Sequence, residues 1–500
     1  MRITNSMVTA NTKANININK YNSDKLNTMT ASGQKITRPS DDPVIAIRAL
    51  RLNTSISELT QFSDKNIPDA DAWYRNTEDA LVQADGVLES MRQCLNQATS
   101  QENTIQSVED ILEELKQLKK QYYAIGNADS AGRTVFTGFR TSEMLTFTTD
   151  EIKEYEITEK LSLKDVELTD YIAGTQYVDR NTPSADYNEI DVRKEQFYRL
   201  KISYSDISGI AASDTSGVTV ASIAGKTPAE IDAIYTGATG ITLIKETGEL
   251  IISKEKYDEL KDADSLELTY TKENWKNGDL RPEHYFMCKT PNDKSTIYPG
   301  GIEYNFNRVD AGNPVTSGGT ITGFKEQDIA YEIAFNQTIE INTHASDAFS
   351  HDIGRNIEEL IDIAQKVLDS EKKISAVEAM KSDETISAVD YERMMAAAKK
   401  ENVLYNEKMH NIFQSAIGNF KDYSDNLNKQ ISKIGAMTAR LELTKNRVKD
   451  QKLNVKELAD DNINADITET ALDYKNAMNA LEAARLAAGK IADSTLLNFI

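Results

Sequence analysis

Proline is confined to the first two thirds of this 500-residue chain, and residues 315–500 contain none. Six of the nine prolines lie between Pro183 and Pro314. Because proline removes a backbone donor and clashes with the preceding helical turn, the proline-free end can form long uninterrupted helices. Thirteen of the 21 tyrosines lie between Tyr155 and Tyr331, and aromatic side chains favour strands. The pattern predicts a helical, then a mainly β, then a second helical segment.

We therefore expect an α+β multidomain fold, with a long coiled-coil-like helical core built from both termini and an inserted mainly β domain. The predicted domains are an N-terminal helical core (1–142), a mainly β variable part (143–342) and a C-terminal helical core (343–500). After the first helix, a second is expected to begin near Pro43 and a third to end near Gly126. Further helices are expected at Ile353–Leu368, Tyr391–Val455 and Asp466–Leu497.

Alternation of apolar and polar residues marks the strands. It occurs on both sides of Thr247-Gly248, which predicts a hairpin over Ile241–Ser253. Further strands are expected at Tyr155–Leu163, Phe197–Tyr204, Leu266–Tyr270 and Ala330–Ile341.

Both terminal helices carry one apolar stripe at spacings of three and four residues. The stripe of the first helix consists of Ile3, Met7, Ala10, Ala14, Ile18 and Tyr21. The stripe of the last helix and its tail consists of Ala471, Tyr474, Met478, Leu481, Ala484, Ala488, Ile491, Leu496, Leu497 and Phe499. Fourteen of the first 30 residues are Asn, Ser or Thr, which compete with helix formation. Such helices should be marginal alone and should fold when they pack in an assembly.

Charge and hydropathy exclude several partners. The net charge is −22, which argues against nucleic acid or an anionic membrane as the partner. No stretch approaches the roughly 20 apolar residues of a membrane helix. The first 20 residues lack an apolar segment and a small-residue cleavage site, so we expect no cleaved signal peptide. Cys94 and Cys288 lie in different predicted domains, and we expect two reduced thiols.

No catalytic or metal-binding motif is recognisable, so we expect neither an enzyme nor a cofactor. The four histidines lack the His-Glu-x-x-His spacing of a zinc protease, and phosphate-binding and nucleophile-elbow motifs are absent from the sequence. The aromatic residues of the β segment could form either a core or an exposed glycan-binding platform. They include Trp275, Tyr285, Phe286, Tyr298 and Tyr304.

Three sequence motifs resemble the bacterial flagellin family. The first is Ser32-Gly33-Gln34-Lys35-Ile36 followed by Arg38-Pro39-Ser40-Asp41-Asp42-Pro43, whose two prolines resemble the hook-associated members of that family. The second is the run from Gly132 to Gly138, and the third is the helix from Ala477 to Lys490 with the tail that follows it. The resemblance covers both ends of the chain and leaves the β segment unassigned.

The residues from Arg38 to Pro43, which we call the corner, also predict where the first helix ends and how the second begins. Arg38 precedes a proline and is pushed toward an extended conformation, so the first helix is expected to stop there. Asp42 is expected to cap the next helix with Pro43 at its first position, and Asp41 to face the same positive helix end.

The resemblance implies a structural subunit of the flagellum at the junction between hook and filament. It implies export without a cleaved signal peptide, an export chaperone, and a ring of copies contacting flagellin and another hook-associated protein. The assembly surface would comprise the two apolar stripes and the corner residues Arg38, Pro39, Ser40, Asp41, Asp42 and Pro43. Two alternatives stay open, namely filament flagellin and a flagellum-displayed adhesin that binds through its β segment.

Overall fold

The protein is described here by a computed structural model. The structure describes residues 5–100, 105–178, 187–261, 265–291, 302–304, 308–317, 320–326, 329–382 and 386–496.

Long helices form both ends of the described chain, and three short helices, α5 to α7, lie between them. The helices are α1 (Asn5–Ser32), α2 (Pro43–Gln61), α3 (Ile67–Ser100), α4 (Ile105–Ile125), α5 (Pro228–Thr236), α6 (Lys254–Leu260), α7 (Ala345–Ala348), α8 (His351–Ala379), α9 (Ala388–Ile463) and α10 (Ile467–Leu496). A π-helical turn at Phe62–Asn66 joins α2 to α3, and α9 alone spans 76 residues. The proline-free end thus forms the long helices that its composition predicts.

Strands occupy the middle of the chain. They are β1 (Asp129–Ser130), β2 (Arg133–Thr134), β3 (Glu151–Ser162), β4 (Glu167–Ala173), β5 (Arg193–Lys201), β6 (Gly209–Ile210), β7 (Thr219–Ala221), β8 (Ile241–Ile244), β9 (Glu249–Ile252), β10 (Ser265–Trp275), β11 (Met287–Thr290), β12 (Ile302–Tyr304), β13 (Arg308–Ser317), β14 (Thr320–Glu326), β15 (Ala330–Ala334) and β16 (Gln337–Glu340). Two five-stranded sheets have the orders β12-β11-β3-β10-β6 and β4-β5-β9-β8-β7. The hairpin predicted over Ile241–Ser253 is β8–β9, whose register pairs Ile244 with Glu249.

The α+β fold class is confirmed, with helical ends and a sheet-containing insertion. Two compact units divide the chain. The smaller unit comprises residues 1–69, 331–339 and 439–500, and the larger comprises 70–330 and 340–438. Each unit combines segments that are distant in sequence, whereas the predicted domains are continuous. The predicted boundaries at 142 and 342 therefore stay a prediction.

The aromatic residues of the β segment contribute to the core of the larger unit. Trp275 is 1% exposed, stacks on Phe147 with 4.8 Å between ring centroids, and donates from its indole nitrogen to the carbonyl of Lys153. Tyr285 is buried and donates to the carbonyl of Phe349, while Phe286 is half-buried. Tyr298 and the side chain of Tyr304 lie outside the described residues. Trp275 and Tyr285 are therefore core residues and not part of an exposed glycan-binding platform.

Both cysteines are free and buried in the larger unit. Desolvation, with a smaller contribution from Glu114, raises the pKa of the Cys94 thiol to about 12. A thiol in such a site is protonated at neutral pH and reacts poorly.

Candidate assembly interface

The first and last helices form an antiparallel pair in the smaller unit. α1 packs along α10, and the turn after α1 meets the turn before α10. The amide of Lys35 donates to the carbonyl of Ile463 at 2.7 Å, and the amide of Ala465 donates to the carbonyl of Gly33 at 2.9 Å. These bonds join the two ends of the chain.

The surface of α1 that faces α10 mixes apolar and polar side chains in equal number. Its buried or half-buried positions recur every three or four residues, the spacing of a coiled-coil seam. They are Val8, Thr12, Ile16, Asn19, Ser23, Leu26, Met29 and Thr30. Thr12 and Thr30 donate their hydroxyls to carbonyls four residues back, which satisfies these groups within the helix. A seam in which four of eight residues are polar buries less apolar area than a fully apolar seam, so the pair is held less tightly within one chain.

The predicted apolar stripe of α1 lies on a different face. Met7, Ile18 and Tyr21 are 56%, 57% and 66% exposed, and Ala10 and Ala14 are exposed as well. Ile3 lies outside the described residues. The single chain therefore leaves this stripe without cover, and its assignment as an assembly surface stays a prediction.

The predicted residues of α10 divide between two faces. Leu481 is buried, and Tyr474, Ala484 and Ala488 are half-buried at the spacing of the seam with α1. Ala471 and Met478 are exposed. Leu497, Phe499 and the side chains of Ile491 and Leu496 lie outside the described part of the chain. The sequence stripe thus combines residues of the intramolecular seam with residues that the single chain does not cover.

Exposed apolar side chains concentrate in the smaller unit. This unit holds 140 of the 500 residues but 14 of the 24 large apolar side chains that are exposed among the described residues. They are Met7, Ile18, Tyr21, Val44, Ile47, Leu50, Phe335, Leu443, Leu453, Leu458, Ile467, Leu472, Met478 and Leu486. An apolar surface of this density is typical of a region that packs against other chains.

Three exposed apolar residues of α2 are not among the assembly residues predicted from the sequence. Val44, Ile47 and Leu50 are 75%, 54% and 66% exposed and recur every three residues. The buried side of the helix carries Ala46, Ala49 and Leu59. Because apolar residues occur on both sides of α2, periodicity alone did not separate an exposed face from a buried one.

The corner between α1 and α2 has the predicted cap. The carboxylate of Asp42 accepts from the amides of Val44 and Ile45 at 2.9 and 3.2 Å, and Pro43 is the first helical residue. Asp42 is half-buried, while Arg38, Pro39, Ser40, Asp41 and Pro43 are exposed. The corner is therefore a rigid turn whose side chains are available to other chains.

Two details of the corner differ from expectation. α1 ends at Ser32 rather than at Arg38, because Gly33 adopts a left-handed conformation with φ +71° that only glycine takes readily. The carboxylate of Asp41 faces backwards and accepts from the amides of Thr37 and Arg38 at 3.1 and 2.9 Å. These bonds lower the pKa of Asp41, with the bond from Arg38 the larger cause.

Replacing Asp42 with Ala should destabilise α2 by about 1 kcal/mol, because two amides at the helix start lose their acceptor. Urea denaturation, with hydrogen exchange of the Val44 and Ile45 amides, measures the effect. Ser40→Ala, on the same turn at an exposed position, is the control and should change neither quantity. Equal stability of the two variants would contradict the capping role.

A family comparison covers the helices and the corner just described. Residues 3–141 match the family model for the bacterial flagellin N-terminal helical region. This part of the chain is therefore similar to the N-terminal helical region of bacterial flagellins. No protein of curated function matches this flagellin-like chain in sequence.

Solved structures of three flagellar proteins are similar to the flagellin-like chain at low identity. A flagellar hook-associated protein of Vibrio parahaemolyticus is 14% identical, covers 85% of this chain and all of its own, and has a TM-score of 0.33. FlgL of Xanthomonas campestris is 9% identical, with coverages of 81% and 98% and a TM-score of 0.29. Flagellar hook-associated protein 3 of Legionella pneumophila is 12% identical, with coverages of 81% and 96% and a TM-score of 0.29. The similarity of residues 3–141 to the flagellin N-terminal region does not depend on these structures.

Hydropathy adds one finding. Among the described helices of this flagellin-like chain, none is both long enough and apolar enough to cross a membrane.

Proposed function

We propose that this chain is a structural subunit of the bacterial flagellum that joins the hook to the filament. Copies would associate through the exposed apolar residues of the smaller unit and the corner at Arg38–Pro43. One side of the ring would contact flagellin and the other a second hook-associated protein. The role is mechanical, with the chain located outside the cell on the flagellum.

The uncovered apolar stripe of α1 carries this proposal. Met7, Ile18 and Tyr21 are exposed on a helix of which half the intramolecular seam is polar. Burying large apolar side chains between copies would stabilise an assembly, at about 25 cal/mol per Å² of apolar surface removed from water. The match of residues 3–141 to the flagellin N-terminal helical region supports a flagellar assembly rather than an unrelated bundle.

Export follows from the same proposal. A subunit whose terminal helices are marginal alone is suited to travel unfolded through the flagellar export channel. An export chaperone would then cover the apolar stripes before assembly.

Immunogold labelling of isolated flagella tests the junction role. An antibody against residues 143–342 should label one band where the hook meets the filament. Labelling along the whole filament would instead make the chain a filament flagellin and would contradict the junction role. The Pro39–Pro43 corner, which resembles hook-associated members of the family, favours the first outcome.

A further inference from the structure

The larger unit contains a cavity of about 340 Å³ that the structural role does not use. Its wall is formed by β4, β5, the β8–β9 hairpin, α8 and α9. Tyr171 and Tyr235 line one part of it and stack on each other with 4.2 Å between ring centroids. The hydroxyl-bearing residues Ser205 and Thr247 line another part. A volume of this size is within the usual range for small-molecule sites.

The carboxylates of the cavity wall already have partners. Glu249 and Glu359 pair with Arg199 at 2.9 and 2.7 Å. Glu358 pairs with Lys119 and Arg355, Asp362 with Lys366, and Asp206 with Lys276. Glu246 accepts hydrogen bonds from Ser222 and from the amides of Ile223 and Ala224. Five of these six carboxylates are thus paired with cations, and Glu246 is held by neutral donors.

Lys408 differs from the other cations of the wall. Its Nζ donates to the backbone carbonyl of Asp170 at 2.7 Å, and among the described residues no carboxylate lies within ion-pair distance of it. Burial, with the charges of Lys366 and Arg199 nearby, outweighs the opposing effect of Glu249 and Glu359 and lowers the pKa of Lys408 to about 8. A half-buried ammonium whose neighbouring carboxylates are already paired with other cations is costly, and an incoming anion would reduce that cost.

We propose that this cavity binds a small hydroxylated carboxylate of the size of a sugar acid. The carboxylate would pair with Lys408, and its ring would lie against Tyr171 and Tyr235. The hydroxyls of the ligand would exchange hydrogen bonds with Ser205, Thr247 and the outer oxygens of the paired wall carboxylates. This inference is independent of the flagellar role.

Isothermal titration of the full chain with galacturonate at pH 7 tests the proposal. Saturable binding is expected, and galactose, which lacks the carboxylate, should bind at least tenfold more weakly. Trigalacturonate is the second probe. Binding of the monosaccharide indicates a free sugar acid as the source, and binding of the trisaccharide alone indicates the end of an acidic polysaccharide. Failure of both probes to bind would overturn the proposal.

Lys408→Met is the decisive variant, because methionine keeps a long side chain and removes the charge. Affinity should fall at least tenfold, while the melting temperature should not fall, since a buried cation is lost. Lys400→Met is the matched control on the same helix. Lys400 also donates to a backbone carbonyl, that of Glu189 at 3.1 Å, but it is not part of the cavity wall.

The pH dependence provides an independent measurement. Raising the pH from 7 to 9.5 deprotonates Lys408 and should weaken galacturonate binding to the wild-type chain. Unchanged affinity in Lys408→Met, or an equal loss in Lys400→Met, would show that binding occurs elsewhere and would contradict the proposal.

Discussion

Replacing Ile18 with Glu is expected to abolish incorporation of the chain into flagella while leaving its secretion intact. In the single chain Ile18 is 57% exposed, so the substitution should not alter its fold. Between copies, the change would remove a buried apolar side chain and place an unpaired carboxylate there. Together these cost about 3 kcal/mol or more, roughly a hundredfold in association.

The measurement is the amount of variant on sheared flagella relative to the amount in the medium. Asn27→Glu is the matched control, because Asn27 is also exposed on α1 but lies away from the predicted stripe. It should incorporate like the wild type. Normal incorporation of the Ile18 variant, or equal failure of both variants, would contradict the assignment of the stripe as an assembly surface.

Arg199→Met should destabilise the larger unit by about 3–5 kcal/mol, because it leaves buried carboxylates without their cation. The Arg199 side chain is 6% exposed and pairs with Glu167, Glu249 and Glu359. Glu359 belongs to α8, so this cluster ties β5 and β9 to the helix. Equilibrium denaturation in urea at pH 7 measures the loss. Arg193→Met removes an exposed pair with Glu195 on the same strand and should have little effect.

The same cluster predicts sensitivity to acid. Burial alone would raise the pKa of Glu359, but the charges of Arg199 and Lys201 outweigh it and lower the pKa to about 2. A depressed folded-state pKa contributes stability that is present above the unfolded value of 4.5 and is lost as the pH falls toward 2. The wild type should therefore lose stability over this window, and Arg199→Met should lose less. Parallel pH profiles for the two proteins would contradict the role of the cluster.

Much of the fold follows from local sequence rules. The proline-free end forms α8, α9 and α10, and the alternation around Thr247-Gly248 forms the β8–β9 hairpin. The cap at Asp42 follows from an aspartate that precedes a proline. These features depend on residues close in sequence, so one amino-acid sequence suffices to predict them.

The remainder depends on contacts between distant residues. The end of α1 is set by Gly33, whose turn pairs with Ala465, and the prolines that follow it suggested a later end. The seam of α1 contains Asn19 and Ser23, so hydrophobic periodicity identified the uncovered face rather than the one that packs on α10. Arg199 and its three carboxylates are spread over 193 residues of sequence, from Glu167 to Glu359, and no local pattern joins them.

Deletion of the gene in the motile cells that carry it tests the central proposal most directly. Electron microscopy of the cells and assay of flagellin in the medium give the result. The junction role predicts that hooks remain, that filaments are missing, and that unpolymerised flagellin accumulates outside the cell, with recovery when the wild-type gene is restored. Filaments of normal length and number on the deletion strain would contradict it.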